Sequence, residues 1–573
     1  MENKDILRAF RLAASLMELH DENPFKIRSY TNAVAVLERM ETPLSGQSVT
    51  QLEQIEGVGK ALAAKIVEIS QTGSFAELDQ YLAATPPGVV EMLRIKGMGP
   101  KKIRAIWKDL GVETPEALLE ACEKNELAAL KGFGAKTQET IKNALLYNQQ
   151  SKGKALYAEV ETLAYHLRDF LRDKLKTSQV EVAGEIRRRL EIIEKISLVV
   201  ATENPQQVKD VLKSIPELEQ NETQSGPFIW RGQETTSGLA VEFKLIASAS
   251  FVNELFRATG SEAHLTGLFS NTDCLLLVSR KEKYTSEEDI YASAGLAYVQ
   301  PEMREGYNEL LLAKENALPE LLTDKDLRGI LHNHTTYSDG ANTLEQMAVY
   351  CRDKGYDYLG ICDHSKSAFY ANGLQEFRIR EQHKEMDKLN QALAPFRIFK
   401  GIESDILADG SLDYSSEVLA TFDFVVASIH SNLKMDMVKA TDRLVGAIQN
   451  PYTTILGHPT GRLLLRREGY PVDFKTVINA CAEQEVIIEI NANPWRLDLD
   501  WRWVEYALSK GVLLSINPDA HSTEGYHDMR YGVYMGRKGG LTREMTFNTF
   551  SLEEVATHFE KRKARAAALL TSQ

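Results

Sequence analysis

From Leu327 onward the sequence repeats one device: a short apolar run stops on side chains that carry imidazole or carboxylate. Residues 327–331 run into His332 and His334, with Asp339 in the same segment, and residues 357–362 stop at Asp363-His364. Residues 396–402 stop at Glu403, 422–428 at His430, 454–457 at His458, 485–490 at Asn491 and Asn493, and 511–516 at Asp519 and His521. Helix-like segments separate the runs, which predicts βα units around a parallel sheet or barrel. In a βα barrel the loops at the carboxyl ends of the strands share one mouth, so these residues would converge there. Six of the chain's twelve histidines fall at these ends. A single one is explained well enough as a cap or a satisfied buried group, but the whole series is not. Neutral imidazoles and carboxylates together form the donor set that divalent transition ions take.

At 573 residues the chain has room for three or four domains. No apolar run reaches the ~20 residues of a membrane span, and the start, Met-Glu-Asn-Lys-Asp, has no signal-peptide pattern. No membrane partner is expected. Five cysteines are scattered singly with no Cys-x-x-Cys, which argues against a disulfide framework or a zinc ribbon and fits a cytoplasmic protein. The net charge of −14 excludes polyanion binding by bulk electrostatics, so any nucleic-acid contact must be local.

Residues 1 to about 150 read as helical, with one pattern three times: Ile55-Glu-Gly57-Val58-Gly59-Lys60, Ile95-Lys-Gly97-Met98-Gly99-Pro-Lys101-Lys102 and Leu130-Lys-Gly132-Phe133-Gly134-Ala-Lys136. Two glycines around one apolar residue allow a sharp turn whose apolar side chain plugs the gap between two helices. The second glycine opens a helix whose free N–H groups can take a phosphate. This is the helix-hairpin-helix pattern of sequence-independent DNA binding. A tight interhelical turn alone would explain one copy; three copies with lysines beside them point to DNA backbone contact, with Gly57, Gly59, Lys60, Gly97, Gly99, Lys101, Lys102, Gly132, Gly134 and Lys136 as the contact residues.

Residues 23–30, Asn-Pro-Phe-Lys-Ile-Arg-Ser-Tyr, resemble the start of the small lyase-type domain of X-family DNA polymerases. In that family a lysine after the first hairpin attacks the abasic sugar, and the matching position is Lys65. The middle of the chain resembles the palm of the same family. Its pattern is Gly-Ser-x-Arg-Arg-Gly, then Glu, then Gly-Asp-x-Asp, and Gly184, Arg187, Arg188 and Glu191 match. The Gly-Asp-x-Asp positions read Glu194-Lys195-Ile196-Ser197, and a third acid falls at Glu242. Two-metal phosphoryl transfer needs clustered anionic oxygens, and a lysine brings a positive charge where a dication belongs. The palm is expected to keep its fold and to have lost nucleotidyl transfer.

The carboxy-terminal third resembles the polymerase and histidinol phosphatase (PHP) domain, a distorted seven-stranded barrel holding up to three metals. The resemblance implies nine ligands: His332, His334, Asp339, His364, Glu403, His430, His458, Asp519 and His521. It implies two to three divalent ions, Mn²⁺, Zn²⁺ or Fe²⁺. Glu403 is a candidate bridging ligand, because one carboxylate can hold two cations. Glu403 and Asp519 are thus candidate catalytic residues, with Lys65 and with Arg462, which stands one short loop from His458 and could clamp a phosphate.

The expected architecture is an all-α helix-hairpin-helix region (1–80 lyase-type, 81–150 fingers-like), an α+β nucleotidyltransferase-like palm and thumb (151–320) and an α/β distorted (β/α)7 PHP barrel (325–573). The whole resembles a bacterial X-family DNA polymerase with a fused PHP domain, expected as a monomer. This implies a DNA-repair enzyme that hydrolyses phosphodiesters by a metal-dependent route. Its expected action is 3′→5′ digestion with abasic-site or 3′-end processing, and its expected partner is gapped DNA or DNA 3′ ends. The alternatives are a gap-filling polymerase, weakened by Lys195 and Ser197, and a small-molecule phosphatase of the histidinol-phosphate kind, which would need no DNA-gripping hairpins.

Overall fold

The structure, a computed structural model, describes residues 3–571 apart from 39, 41, 94, 96, 97 and 271. It divides into two compact units, Met1–Lys152 and Gly153–Gln573. Among the described residues no helix is long and apolar enough to cross a membrane.

The first unit is helical, with Phe10, Tyr30 and Phe75 packed ring against ring in its core. The three glycine turns share two features among their described residues. Val58, Met98 and Phe133 are buried, and each donates its N–H to the carbonyl three residues back, on Ile55, Ile95 and Leu130. Gly57 and Gly132 have φ of +83° and +90°, a conformation that costs any residue with a Cβ. Gly59, Gly99 and Gly134 then cap the helices Lys60–Thr72, Pro100–Leu110 and Ala135–Ser151 without a side-chain partner for the first N–H groups. Gly97 lies outside the described residues.

The second unit opens with β1 (Ala155–Leu156), which pairs with β3 (Ile192–Ile193). A five-stranded sheet follows, ordered β2-β4-β7-β6-β5, from β2 (Val180–Ala183), β4 (Lys195–Ala201), β5 (Leu218–Gln220), β6 (Ile229–Glu234) and β7 (Ala240–Ile246). Only β4 and β7 are parallel, which places Ser197 directly beside Glu242.

The rest is one parallel sheet of seven strands in chain order: β8 (Gly329–Ile330), β9 (Tyr358–Ile361), β10 (Arg397–Asp405), β11 (Phe424–Ser428), β12 (Ile455–Leu456), β13 (Ile487–Asn491) and β14 (Leu514–Asn517). The edge strands meet just beyond their ends, where Asn333 bridges Ala520. Below that point the buried side chain of Asn548 closes the gap. Its amide nitrogen donates to the carbonyls of Gly329 (3.1 Å) and Ile516 (2.8 Å), and its oxygen accepts from the Ile516 N–H (2.7 Å). One amide thus stands in for the missing eighth strand.

One end of the barrel is filled by Phe399, Phe424, Ile455, Ile487 and Phe547, with Phe559 of the helix Leu552–Thr571 stacked on Phe424 at 4.8 Å. A Cβ at Gly401 would lie 2.5 Å from the Phe424 ring, so only glycine fits beside it. Two residues further along the same face of β10 comes Glu403, where the interior changes from apolar to charged.

Candidate metal centre

Glu403 is fully buried and faces five histidines. Its Oε1 lies 3.0 Å from His458 Nε2, 3.1 Å from His430 Nε2 and 3.3 Å from His332 Nε2. Its Oε2 lies 2.9 Å from His364 Nδ1 and 3.6 Å from His334 Nε2. Opposite it, Asp519 Oδ1 approaches His334 Nε2 at 3.0 Å and His332 Nε2 at 3.6 Å. Asp339 Oδ1 lies 3.4 Å from His521 and 3.6 Å from His364. The nine residues expected from the sequence fall into four overlapping groups whose donor atoms lie within 4.8 Å of one another.

Several of these donors have no hydrogen-bond partner although they are buried: His332 Nε2, both nitrogens of His334, His364 Nδ1, His458 Nδ1 and Glu403 Oε2. Orphaned buried polar atoms are costly and rare, and here all of them except His458 Nδ1 lie on the sides that face the cluster. A set of imidazoles sharing carboxylates fits divalent transition ions. The backbone is also held against its preference, since His332 (φ +64°) and Asp519 (φ +52°) sit in the left-handed region. The loops that carry them are pinned by the His334 N–H to Ala520 carbonyl bond (2.8 Å) and the Ala341 N–H to His521 carbonyl bond (2.7 Å).

Charge is strongly polarised. Burial disfavours the anionic forms of Glu403 and Asp519, yet surrounding histidines hold both far below the usual carboxylate range. Burial, reinforced by His521 and His364, pushes His334 down to about 3. His430 goes the other way despite its burial, to about 10, because Glu403 and Asp405 face it.

A shell of residues that sequence reading missed aims these donors. Glu489, fully buried on β13, accepts from His332 Nδ1 at 2.6 Å, and Asp405 accepts from His430 Nδ1 at 2.5 Å. A carboxylate on the second ring nitrogen fixes which nitrogen faces inward. The signal was present, since an acid inside Val-Ile-Ile-Glu-Ile has no reason to be there unless it is paired. Asn491 donates to Glu489 (3.0 Å) and Asp519 (3.3 Å) and so supports the centre from one step outside it. Asp363 accepts from Thr335 N–H and Oγ1 (both 2.7 Å), Ser338 and Gln382, which organises the loop between His334 and Asp339.

Arg462, expected from its position to clamp a phosphate, is turned to partners of its own. Its guanidinium is committed to Asp500 (2.6 Å) and to the carbonyls of Arg496 (2.7 Å) and Leu497. A long side chain next to a ligand in sequence can point either way, and this one points into the loop 496–500. The arginine that reaches the centre is Arg496, 3.4 Å from Asp519 Oδ2.

In the palm-like sheet Lys195 Nζ lies 3.1 Å from Glu242 Oε1, and Arg231 Nε 2.7 Å from its Oε2. The Glu185 carboxylate accepts from the N–H groups of Glu194 (2.7 Å) and Lys195 (3.2 Å). Other palm-motif residues serve packing. Arg187 pairs with Glu287 and Arg188 with Glu305, while Glu191 accepts from Trp501 (3.1 Å) and Arg502 (3.0 Å) of the barrel.

In the first unit Lys65 is engaged by Glu77 and Tyr30 and lies over the Tyr30 ring at 4.9 Å. Glu77, opposed by its own burial, is held down to about 2 by Lys26 and Lys65. Lys60, Lys101, Lys102 and Lys136 are exposed beside the glycine turns.

Residues 1–75 match the helix-hairpin-helix domain, 89–145 the SAM-like helix-hairpin-helix tandem and 331–493 the PHP domain. The DNA polymerase/3′-5′ exonuclease PolX of Bacillus subtilis is 34% identical over 98% of this chain and 100% of its own length. Two proteins named as probable phosphatases are similar over a smaller share. That of Thermoanaerobacter sp. is 26% identical over 38% of this chain and 89% of its own, and that of Caldanaerobacter subterraneus 25% over 41% and 91%. PHP domains are metal-dependent and helix-hairpin-helix domains bind DNA; the matched PHP residues hold seven of the nine donors, all but Asp519 and His521, and the matched helix-hairpin-helix residues hold the three glycine turns. Similar to PolX across nearly its full length, this chain belongs to the family of bacterial X-family DNA polymerases with a PHP domain.

Proposed function

We propose that this protein hydrolyses phosphodiesters at DNA 3′ ends, including those of gapped DNA, using two to three divalent ions (Mn²⁺, Zn²⁺ or Fe²⁺) in the barrel. The observation that carries this reading is the convergence of His332, His334, Asp339, His364, Glu403, His430, His458, Asp519 and His521, with lone pairs left unpaired. When bound, such ions supply an activated water and a Lewis acid for the phosphoryl oxygens. Glu403 turns Oε1 to His458 and Oε2 to His364 and would hold ions through both oxygens. Glu489 and Asp405 orient His332 and His430. Arg496 steadies Asp519 and offers the cation for a substrate phosphate.

Gly57, Gly59, Lys60, Gly97, Gly99, Lys101, Lys102, Gly132, Gly134 and Lys136 hold the DNA backbone through free helix N–H groups and flanking ammonium groups. In the palm, the ammonium of Lys195 takes the place of a dication beside Glu242, so the domain serves as a DNA-holding body and not as a polymerase. Lyase chemistry at Lys65 requires its amine to leave Glu77, and borohydride trapping on abasic DNA reports whether it does.

The test uses 5′-labelled single-stranded and recessed-end DNA with Mn²⁺, with and without nucleoside triphosphates. Progressive shortening that is lost in His332→Ala is the expected result; shortening retained in that variant refutes the assigned centre, and extension with triphosphates refutes the palm reading. The phosphatase relatives favour one second reading, hydrolysis of a small phosphomonoester. Turnover of such a compound without turnover of DNA would establish it.

A further inference from the structure

On the rim of the barrel mouth, Phe369 is 83% exposed and Tyr370 72% exposed. They sit in the segment that follows His364, and the segment is tightly built. The Ser365 N–H donates to the Glu403 carbonyl (3.0 Å), the Leu374 N–H to the His364 carbonyl (2.8 Å) and the Ser367 N–H to Asp413 (2.6 Å). Ala368, Ala371 and Leu374 are buried, while the single turn Phe369–Ala371 turns the two rings outward. A Cβ at Gly373 would lie 1.9 Å from the Ser365 carbonyl oxygen, so only glycine fits there. The exposure of both rings is therefore a fixed property of the turn, although burying them would have been favourable.

Two relationships connect the rings to the centre. The Tyr370 ring centre lies 6.3 Å from that of His364, whose Nδ1 faces Glu403. The loop after β13 adds a cation over a ring, the Arg466 guanidinium 3.2 Å from the Trp495 ring centre, and the residue after Trp495, Arg496, reaches Asp519. Aromatic faces and guanidinium planes beside a phosphate-handling centre are what successive unpaired bases require. A small phosphomonoester seated among the nine donors would have no use for two rings outside them.

We propose that Phe369 and Tyr370 form a stacking platform for the unpaired bases at a DNA 3′ end whose phosphodiester lies in the barrel mouth. The platform rests on the phosphodiesterase reading and specifies its substrate: single-stranded or frayed ends carrying bases. Stacking tolerates any base, because every base has a π face, so the platform selects strand state and not sequence.

The experiment compares two 3′-labelled single strands of equal length, an oligothymidylate and the same sugar–phosphate chain without bases. Both are digested by the full-length protein with Mn²⁺. The unaltered protein should prefer the base-bearing strand, and in the double variant Phe369→Ala, Tyr370→Ala the ratio of kcat/KM between the strands should fall by roughly tenfold to a hundredfold, mainly through KM. The ring-conserving pair Phe369→Tyr, Tyr370→Phe should retain the ratio. A double alanine variant with an unchanged ratio, or with equal losses on both strands, overturns the platform. Hydrolysis of neither strand by the unaltered protein is a separate failure, which removes the phosphodiesterase reading and the platform with it.

Discussion

Lys195 Nζ stands 3.1 Å from Glu242 Oε1, on adjacent parallel strands where the X-family pattern puts metal-holding acids. Arg231 takes the other oxygen, so the remaining acid is already neutralised by fixed cations. The prediction is that primer extension with Mg²⁺ or Mn²⁺ is absent from the purified protein and that Glu242→Gln leaves 3′ digestion unchanged. Templated incorporation that disappears in Glu242→Gln would contradict it.

Glu489 bonds His332 and Asp405 bonds His430 from behind. Loss of such partners typically lowers metal affinity by ~10–100-fold. Glu489→Gln should therefore weaken binding of the ion nearest His332 by about that factor while the fold persists, as read by metal titration beside a thermal melt. Unchanged affinity would mean that Glu489 only fills space.

Arg462 and Arg496 separate two roles. Arg462 is nearly enclosed and pairs with Asp500, and breaking a buried pair costs roughly 3–5 kcal/mol. Arg462→Ala should lower the melting temperature markedly, whereas Arg496→Ala should leave it nearly unchanged and reduce kcat/KM for DNA about tenfold or more. The opposite pattern would restore Arg462 as the phosphate contact.

Glu287 supplies a pH dependence away from the metal centre. Burial raises its pKa, but Arg187 and Arg304 bring it from 4.5 down to about 2. A depressed carboxylate contributes stability that is fully present above its ordinary value and is lost as the pH falls from there through about 2, roughly 3 kcal/mol in all. The stability difference between the protein and Glu287→Gln should therefore shrink between pH 6 and pH 3. A pH-independent difference would show that Glu287 is not the titrating group.

Much of this molecule was legible in the sequence because each strand of the barrel ends in its own chemical signature. Glu403 and His430 could be read from where apolar runs stop, and Val58, Met98 and Phe133 from the glycines that flank them. Glu489 and Asp405 were not read because they act on histidines that are distant in sequence, with no spacing to mark the pairing. Asn548 closes the barrel through its amide alone, and nothing local distinguishes it from a loop asparagine. The partners of Arg462 were not legible, because nearness to His458 along the chain says nothing of where a long side chain points. Arg496 reaches Asp519 only once β13 and β14 are side by side.

The central claim is that one shared carboxylate organises a metal centre that hydrolyses DNA ends. It is tested most directly by measuring metal content and 3′ digestion together in the unaltered protein and in Glu403→Gln. The account predicts loss of more than one ion per chain and loss of digestion by at least a hundredfold, with the helical content unchanged. Full metal content with undiminished digestion in Glu403→Gln would contradict it.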